Sequence, residues 1–178
     1  MITLIVGTPN SGKSVLAESI AMEQAKEKKY YVATMIPFGE EGKKRVEKHR
    51  KMREGKGFIT LEWPENMDQR MTTIDFSHAT VLLECMSNLI GNEMHSKENK
   101  NRNEAALKAK IIASIRKLSN VAENLILVTN EFPSQEEHYD EDTKRYVRLV
   151  AEVNKELITI ADQVFSYIDG KWCQYENC

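Results

Sequence analysis

The sequence predicts an α/β fold with a mostly parallel sheet and helices on both of its faces. Short apolar runs rich in Val, Ile and Leu alternate along the chain with longer amphipathic segments. A continuous apolar run is typical of a strand buried on both faces, and the alternation of such strands with helices favours parallel pairing. The stretch GTPNSGKS, which follows the first apolar run, is a third observation that fits this arrangement.

Apolar runs predict the strands, and the amphipathic segments between them predict the helices. The predicted strands are residues 2–6, 30–35, 80–85, 125–129 and 164–168. The predicted helices are residues 14–28, 40–53, 104–122 and 142–161. In the last helix, Leu149, Val153 and Leu157 recur at helical spacing with charged residues on the opposite face.

The C-terminal segment predicts a hairpin that adds an antiparallel edge to the sheet. Residues 163–168 and 171–175 are joined by Asp169-Gly170, a dipeptide that suits a tight type I′ turn. The polar stretch 96–103 is expected to be a solvated loop or a helix end, with its basic residues facing solvent. Because the chain shows no linker or internal repeat, we expect residues 1–178 to form a single domain.

Composition and charge limit the classes of partner. The formal net charge of -2 gives no sequence-wide attraction to nucleic acid, which is not an expected partner. The three cysteines are scattered without metal-ligand spacing, which argues against a disulfide framework and a zinc site. No apolar run is long enough to cross a membrane, and the run at residues 2–6 is too short for a signal-peptide core. We therefore expect a cytoplasmic location.

Residues 7–14, GTPNSGKS, fit the G-x-x-x-x-G-K-[ST] pattern of a phosphate-binding loop between a strand and a helix. Gly7 and Gly12 allow backbone N–H groups to surround phosphates, Lys13 is expected to contact the β- and γ-phosphates, and the Ser14 hydroxyl is expected to bind Mg²⁺. The intervening loop residues are Thr8, Pro9, Asn10 and Ser11. The sequence thus predicts a P-loop NTPase fold that binds ATP or GTP; the alternative is a plain strand-to-helix turn.

A nucleotide site of this kind also needs a carboxylate at a neighbouring strand end to hold the water shell of the metal. Glu84 ends the apolar run TVLLE, and Glu131 follows the run LILVTN. Buried strands also end in carboxylates for simple reasons of solvation, so neither residue is a metal ligand on this ground alone. Glu84 is the favoured candidate.

An ordered set of motifs spread over nearly the whole chain resembles one enzyme family. The motifs are GTPNSGKS, YVAT at 31–34, E-x3-R-x3-H-R at 41–50, TLEWP at 60–64, LLECMSN at 82–88, LVTNE at 127–131 and VNKELITIADQVF at 153–165. Together they look like the bifunctional adenosylcobinamide kinase/adenosylcobinamide-phosphate guanylyltransferase family, which assembles the nucleotide loop of cobalamin. The resemblance implies a RecA-like P-loop fold and a homotrimer.

The resemblance also implies the reactions. Family members phosphorylate the aminopropanol hydroxyl of adenosylcobinamide with a nucleoside triphosphate and then transfer GMP from GTP onto that phosphate. The transfer passes through a guanylylated histidine, and the matching residue here is His49. A neutral imidazole suits this step because it is a good nucleophile near neutral pH. Without the resemblance, His49 reads as one member of a charged, solvated helix face.

Other nucleotide-binding residues follow from the same motifs. Arg45 and Arg50 are expected to neutralise the triphosphate of GTP, because guanidinium groups are permanent cations with forked donors. The resemblance further implies that Thr34 and Glu62 belong to the nucleotide site. The remaining histidines, at 78, 95 and 138, match no motif and are expected to be surface or loop residues.

One segment departs from the family pattern. Relatives have a glycine-rich turn, V-G-x-G-x-V-P, after LVTNE, whereas this chain has FPSQEEH at 132–138. Glycines permit positive φ and close approach of the backbone to a ligand, and Gln135 and Glu136 would hinder an anionic ligand there. Three functions stay open: the bifunctional enzyme with a variant loop, a P-loop kinase with another acceptor, and a non-catalytic nucleotide-binding relative.

Overall fold

The protein is described by a computed structural model that covers residues 1–133 and 138–176. In these residues, seven strands form one sheet in the order β3-β2-β4-β5-β1-β6-β7. The strands are β1 (Ile2–Gly7), β2 (Lys28–Ala33), β3 (Phe58–Glu62), β4 (Ala79–Glu84), β5 (Asn124–Asn130), β6 (Gln163–Ile168) and β7 (Lys171–Glu176). All neighbouring pairs are parallel except β6 and β7. The mostly parallel sheet and the antiparallel hairpin are thereby confirmed.

Helices cover both faces of this sheet. They are α1 (Lys13–Gln24), α2 (Gly39–Arg53), α3 (Met67–Arg70), α4 (Met86–His95), α5 (Glu104–Val121) and α6 (Glu141–Ile160). One buried cluster joins the sheet to α4, α5 and α6, and the other joins it to α1. Successive residues of β1 serve the two clusters in turn, since Leu4 belongs to the first and Ile5 to the second.

Several predicted boundaries are wrong. Helix α1 ends at Gln24 instead of residue 28, because residues 28–33 pair as β2 between β3 and β4. The sequence analysis did not predict β3, an edge strand whose Ile59 is 52% exposed and which therefore lacks a continuous apolar run. It also omitted α4, which directly follows a buried strand and begins at Met86.

The polar stretch 96–103 is only partly solvated. It contains a short 3-10 turn, Lys97–Asn99, in which Lys97 is exposed as expected. Ser96 and Asn99 are buried, which corrects the prediction for these two residues. Asn99 is buried because its amide donates to the carboxylate and the carbonyl of Glu93, also buried, on α4. The segment thus folds back onto the end of α4.

The predicted hairpin turn is confirmed at Asp169-Gly170. Both residues have positive φ, 48° and 78°, as a type I′ turn requires.

The carboxyl ends of the parallel strands lie together at one edge of the sheet. Strands β1, β2, β4 and β5 end there at Gly7, Ala33, Glu84 and Asn130. Ligands of open parallel sheets bind outside this edge. Within the described residues, no helix is long and apolar enough to span a membrane.

Candidate active site

A cavity of about 1210 Å³ opens at the carboxyl ends of the parallel strands, between the phosphate loop and α2. It brings together most of the residues that the sequence singled out. These are Pro9, Asn10, Ser11, Gly12, Lys13, Ser14, Arg45, His49, Arg50, Glu62 and Glu84. Glu131, the second candidate carboxylate, is exposed and is not part of the wall formed by the described residues.

The phosphate loop leads from the end of β1 into the first turn of α1. Gly7 stands where the chain is crowded, because a Cβ there would lie 2.8 Å from Ser11 Oγ and 3.1 Å from Trp172 Cη2. Lys13 Nζ donates a 2.5 Å hydrogen bond to the Thr8 carbonyl. Burial lowers the pKa of Lys13, and the nearby Cys85 and Glu84 act in the opposite direction. The ammonium group is therefore held inside the loop, where a phosphate could replace the carbonyl as its partner.

Glu84, the last residue of β4, lines the cavity. Its carboxylate accepts hydrogen bonds from the Ser14 hydroxyl and, at 3.0 Å, from the Tyr31 phenol. Burial raises the pKa of Tyr31, so this phenol stays protonated and donates to Glu84. His49 Nδ1 lies 3.7 Å from Glu84 Oε1, within ion-pair range but beyond a hydrogen bond. The phosphate loop and α2 thus converge on one carboxylate.

Helix α2 forms the opposite wall and is mostly exposed, with only Gly42 and Arg53 buried. His49 is half-buried, and its Nδ1 has no hydrogen-bond partner among the described residues. Arg50 and Glu62 form an exposed ion pair at 2.8 Å across the cavity rim. Arg45 lines the cavity from an exposed position. Because an exposed ion pair contributes only about 0–1 kcal/mol, Arg50 is free to exchange Glu62 for a ligand.

Arg53 is a site residue that the sequence analysis missed. It is only 7% exposed, and its guanidinium carbon lies 3.4 Å from the centre of the Tyr31 ring. Nε and Nη1 are buried, and neither has a hydrogen-bond partner within residues 1–133 and 138–176. Its position four residues after His49 places both on the same face of α2, which was an available signal. A desolvated, unpaired cation on the wall of a cavity is suited to an anionic ligand.

Thr34 is brought near the site but does not face the cavity. It is fully buried, and its hydroxyl donates a 2.7 Å hydrogen bond to the Cys85 carbonyl. Its backbone N–H donates to the Glu84 carbonyl at 3.2 Å. Thr34 therefore fixes the backbone that follows β4. Cys85 is a buried free thiol, and burial raises its pKa to about 11.

The donor set suits Mg²⁺ bound together with a nucleotide. Ser14 and Glu84 supply hard oxygen donors that lie side by side, and Mg²⁺ with its water shell prefers donors of this kind. Groups of three or more His, Cys, Asp or Glu that could hold a metal alone do not occur in the described part of the chain. The phosphate oxygens of a nucleotide would have to complete the coordination sphere. Lys44, Lys48 and Arg70 also line the cavity and add to its positive charge.

The fold and the loop define a P-loop nucleotide-binding protein of the RecA-like kind. The family model described as cobinamide kinase / cobinamide phosphate guanyltransferase matches residues 3–174. The chain therefore belongs to this family of transferases of cobalamin biosynthesis. A search of curated protein sequences gave no significant match.

Solved structures with the same fold are distant in sequence. The RadB recombinase is similar with a TM-score of 0.50 and 18% identity over 93% of this chain and 73% of that chain. An ATPase from the type III secretion system of pathogenic bacteria gives a TM-score of 0.57 and 13% identity over 94% of this chain and 51% of that chain. At this level of identity these likenesses show the fold alone.

Proposed function

We propose that this chain phosphorylates the aminopropanol hydroxyl of adenosylcobinamide with ATP or GTP and then transfers GMP from GTP to the new phosphate through His49. Family membership supports the pair of reactions. The observation that favours a single site for both is the position of Glu84, which contacts Ser14 of the phosphate loop and lies 3.7 Å from His49. Lys13 lines the same cavity.

In the phosphorylation step, Lys13 leaves the Thr8 carbonyl and binds the β- and γ-phosphates. Ser14 and Glu84 would hold Mg²⁺ and its water shell, and the cation would offset negative charge on the phosphates. The hydroxyl oxygen of the acceptor attacks the γ-phosphorus, its proton is released to water, and the nucleoside diphosphate leaves. The cations of the cavity offset the charge on the transferred group, which is the main protein contribution in this chemistry.

In the guanylyl transfer, His49 is the nucleophile. Its Nδ1 is the ring nitrogen on the Glu84 side, 3.7 Å from Oε1, so Nε2 is the nitrogen whose lone pair attacks the α-phosphorus of GTP. Pyrophosphate leaves, and an oxygen of adenosylcobinamide phosphate then displaces His49 from the phosphorus. Arg45, Arg50 and Arg53 neutralise the non-bridging oxygens. Because Glu84 takes part in both steps, the cavity carries out one of the two reactions at a time.

The covalent step is tested by incubating the protein with GTP labelled on the α-phosphate and Mg²⁺. We expect a protein adduct that is stable in alkali and labile in acid, as a phosphoramidate is, with the added mass of GMP on the peptide that contains His49. His49→Asn should abolish the adduct. His78→Asn is the matched control, because His78 is exposed and its positive φ of 56° suits asparagine. A protein that binds GTP tightly but forms no adduct contradicts the transferase half of the proposal.

A P-loop kinase with a different acceptor is the second candidate, and the segment after β5 favours it. Phe132 lines the cavity and packs on Tyr146 with ring centres 5.7 Å apart, at the start of the segment where relatives have a glycine-rich turn. Gln135 and Glu136 lie outside the described residues. Product mass analysis with adenosylcobinamide, ATP or GTP, and Mg²⁺ identifies the bifunctional enzyme, because only that enzyme forms a GDP-linked product. A kinase with a different acceptor and a nucleotide-binding protein without activity would both leave adenosylcobinamide unchanged.

We also propose that the chain assembles as a homotrimer in the cytoplasm, as the family implies. A surface feature supports self-association: Ile36 and Phe38, just before α2, are 58% and 93% exposed. A phenylalanine with almost its whole surface in water is typical of a contact surface. Sedimentation equilibrium should give three times the monomer mass, and Phe38→Ser should lower it. A monomeric wild-type protein would contradict the trimer.

A further inference from the structure

We propose that Tyr167 and Trp172 form a stacking platform for the purine base of the nucleotide that donates its γ-phosphoryl group. This inference rests on the proposed phosphorylation step, because it needs a triphosphate on the phosphate loop. It adds a base-binding site on the C-terminal hairpin, on the side of the phosphate loop away from α2.

The two aromatic residues are paired across the hairpin and lie beside the phosphate loop. Tyr167 is opposite Trp172 in the register of β6 and β7, and their ring centres are 5.1 Å apart at an angle of 58°. Val6 pairs with Ser166, so Tyr167 is level with Gly7, the first residue of the loop. Trp172 Cη2 and Tyr167 Cβ lie 3.1 Å and 3.3 Å from the position that a Cβ of Gly7 would occupy. Both side chains keep part of their surface in solvent.

The direction of the bound nucleotide follows from the order of the strands. Glu84 ends β4 on one side of β1, whereas β6 and β7 lie on the other side. The cavity that contains His49 is on the Glu84 side. A kinase must turn the γ-phosphoryl group toward its acceptor, so the nucleoside at the far end of the triphosphate points away from Glu84. On this side of β1 the hairpin has two aromatic rings, and they lie at the carboxyl-end edge of the sheet, where ligands bind.

Stacking on an aromatic ring depends on the π-face that every base has, and it involves no hydrogen-bond readout of the base edge. A platform of this kind therefore binds adenine and guanine with similar strength. The phosphorylation step should accept ATP and GTP nearly equally, even though guanylyl transfer requires GTP.

The test compares ligands with and without a base. We would measure dissociation constants of ATP, GTP and inorganic tripolyphosphate for wild-type protein, Trp172→Leu and Trp172→Phe. Leucine keeps an apolar contact beside Gly7 but removes the aromatic face, so ATP and GTP should bind about tenfold or more weakly. Tripolyphosphate should bind as in the wild type, and phenylalanine should restore most of the nucleotide affinity.

Other outcomes overturn the inference. An equal loss for tripolyphosphate means that the rings only support the loop, and unchanged ATP binding means that they do not contact the base. A second measurement does not depend on the leucine variant: ATP should quench the fluorescence of Trp172 in the wild type, whereas tripolyphosphate should not, with Trp172→Phe giving the background of the buried Trp63. No quenching by bound ATP also refutes the platform. If the wild-type protein binds neither ATP nor tripolyphosphate, the proposed function fails first.

Discussion

We expect the substitution Arg53→Met to impair guanylyl transfer without lowering the stability of the protein. Arg53 is buried, with Nε and Nη1 unpaired within the described residues and its guanidinium stacked on Tyr31. Each buried donor without a partner costs roughly 1–3 kcal/mol, so the two together cost about 2–6 kcal/mol. The cation–π contact with the desolvated Tyr31 ring offsets about 2 kcal/mol of this cost. Methionine keeps the apolar stem, so the free energy of unfolding should stay unchanged or rise by up to about 4 kcal/mol.

The same substitution should impair guanylyl transfer. Losing one preorganised cation beside the reacting phosphate is expected to slow adduct formation by about 10² to 10³. Urea denaturation measures the stability, and labelled GTP measures the rate of the adduct. Arg116→Met, an exposed arginine on α5, is the matched control and should change neither quantity. If Arg53→Met destabilises the protein while the adduct forms at the normal rate, Arg53 is a structural residue and the reasoning is refuted.

Three further predictions concern other parts of the molecule. Lys13→Ala should lower the phosphorylation rate by about 10² to 10³ with an unchanged circular dichroism spectrum, and a normal rate would exclude the phosphate-loop assignment. Glu93→Gln leaves the Lys110 ammonium, now bonded at 2.7 Å, without its carboxylate, so urea denaturation should show a loss of about 3 kcal/mol; an unchanged midpoint would contradict this. The hydrogen bond to Asp142, and secondarily the Gly91 carbonyl, raises the pKa of His95. This stabilisation is complete below the unfolded pKa and is lost as pH rises through the folded value. The advantage of wild type over His95→Gln should be present near about pH 5.5 and absent near about pH 8.5, and a pH-independent difference would refute it.

The sequence predicted those parts of the fold that local chemistry specifies. Strands β1, β4 and β5 are continuous apolar runs because helices bury them on both faces. The edge strand β3 is only partly buried, so its pattern is mixed and it was not predicted. The single-domain organisation stays a prediction.

The sequence predicted those parts of the candidate site that lie within contiguous motifs. The phosphate loop is contiguous, so eight residues of sequence were enough to place it. The convergence of Ser14, Glu84 and His49 depends on β4 lying two strands from β1 and on the tilt of α2, which no local pattern specifies. Arg53 shares a helix face with His49, but it was missed because its burial against Tyr31 depends on packing that no local pattern specifies. The assigned roles of all these residues stay proposals.

The most direct test of the central claim is the mass of the products formed from adenosylcobinamide, GTP and Mg²⁺ by wild type and His49→Asn. The account predicts that the wild-type protein forms adenosylcobinamide-GDP, and that His49→Asn stops at adenosylcobinamide phosphate, because phosphorylation needs Lys13 and Ser14 but not the imidazole. A GDP-linked product from His49→Asn, or no phosphorylated corrinoid from the wild type, would contradict it.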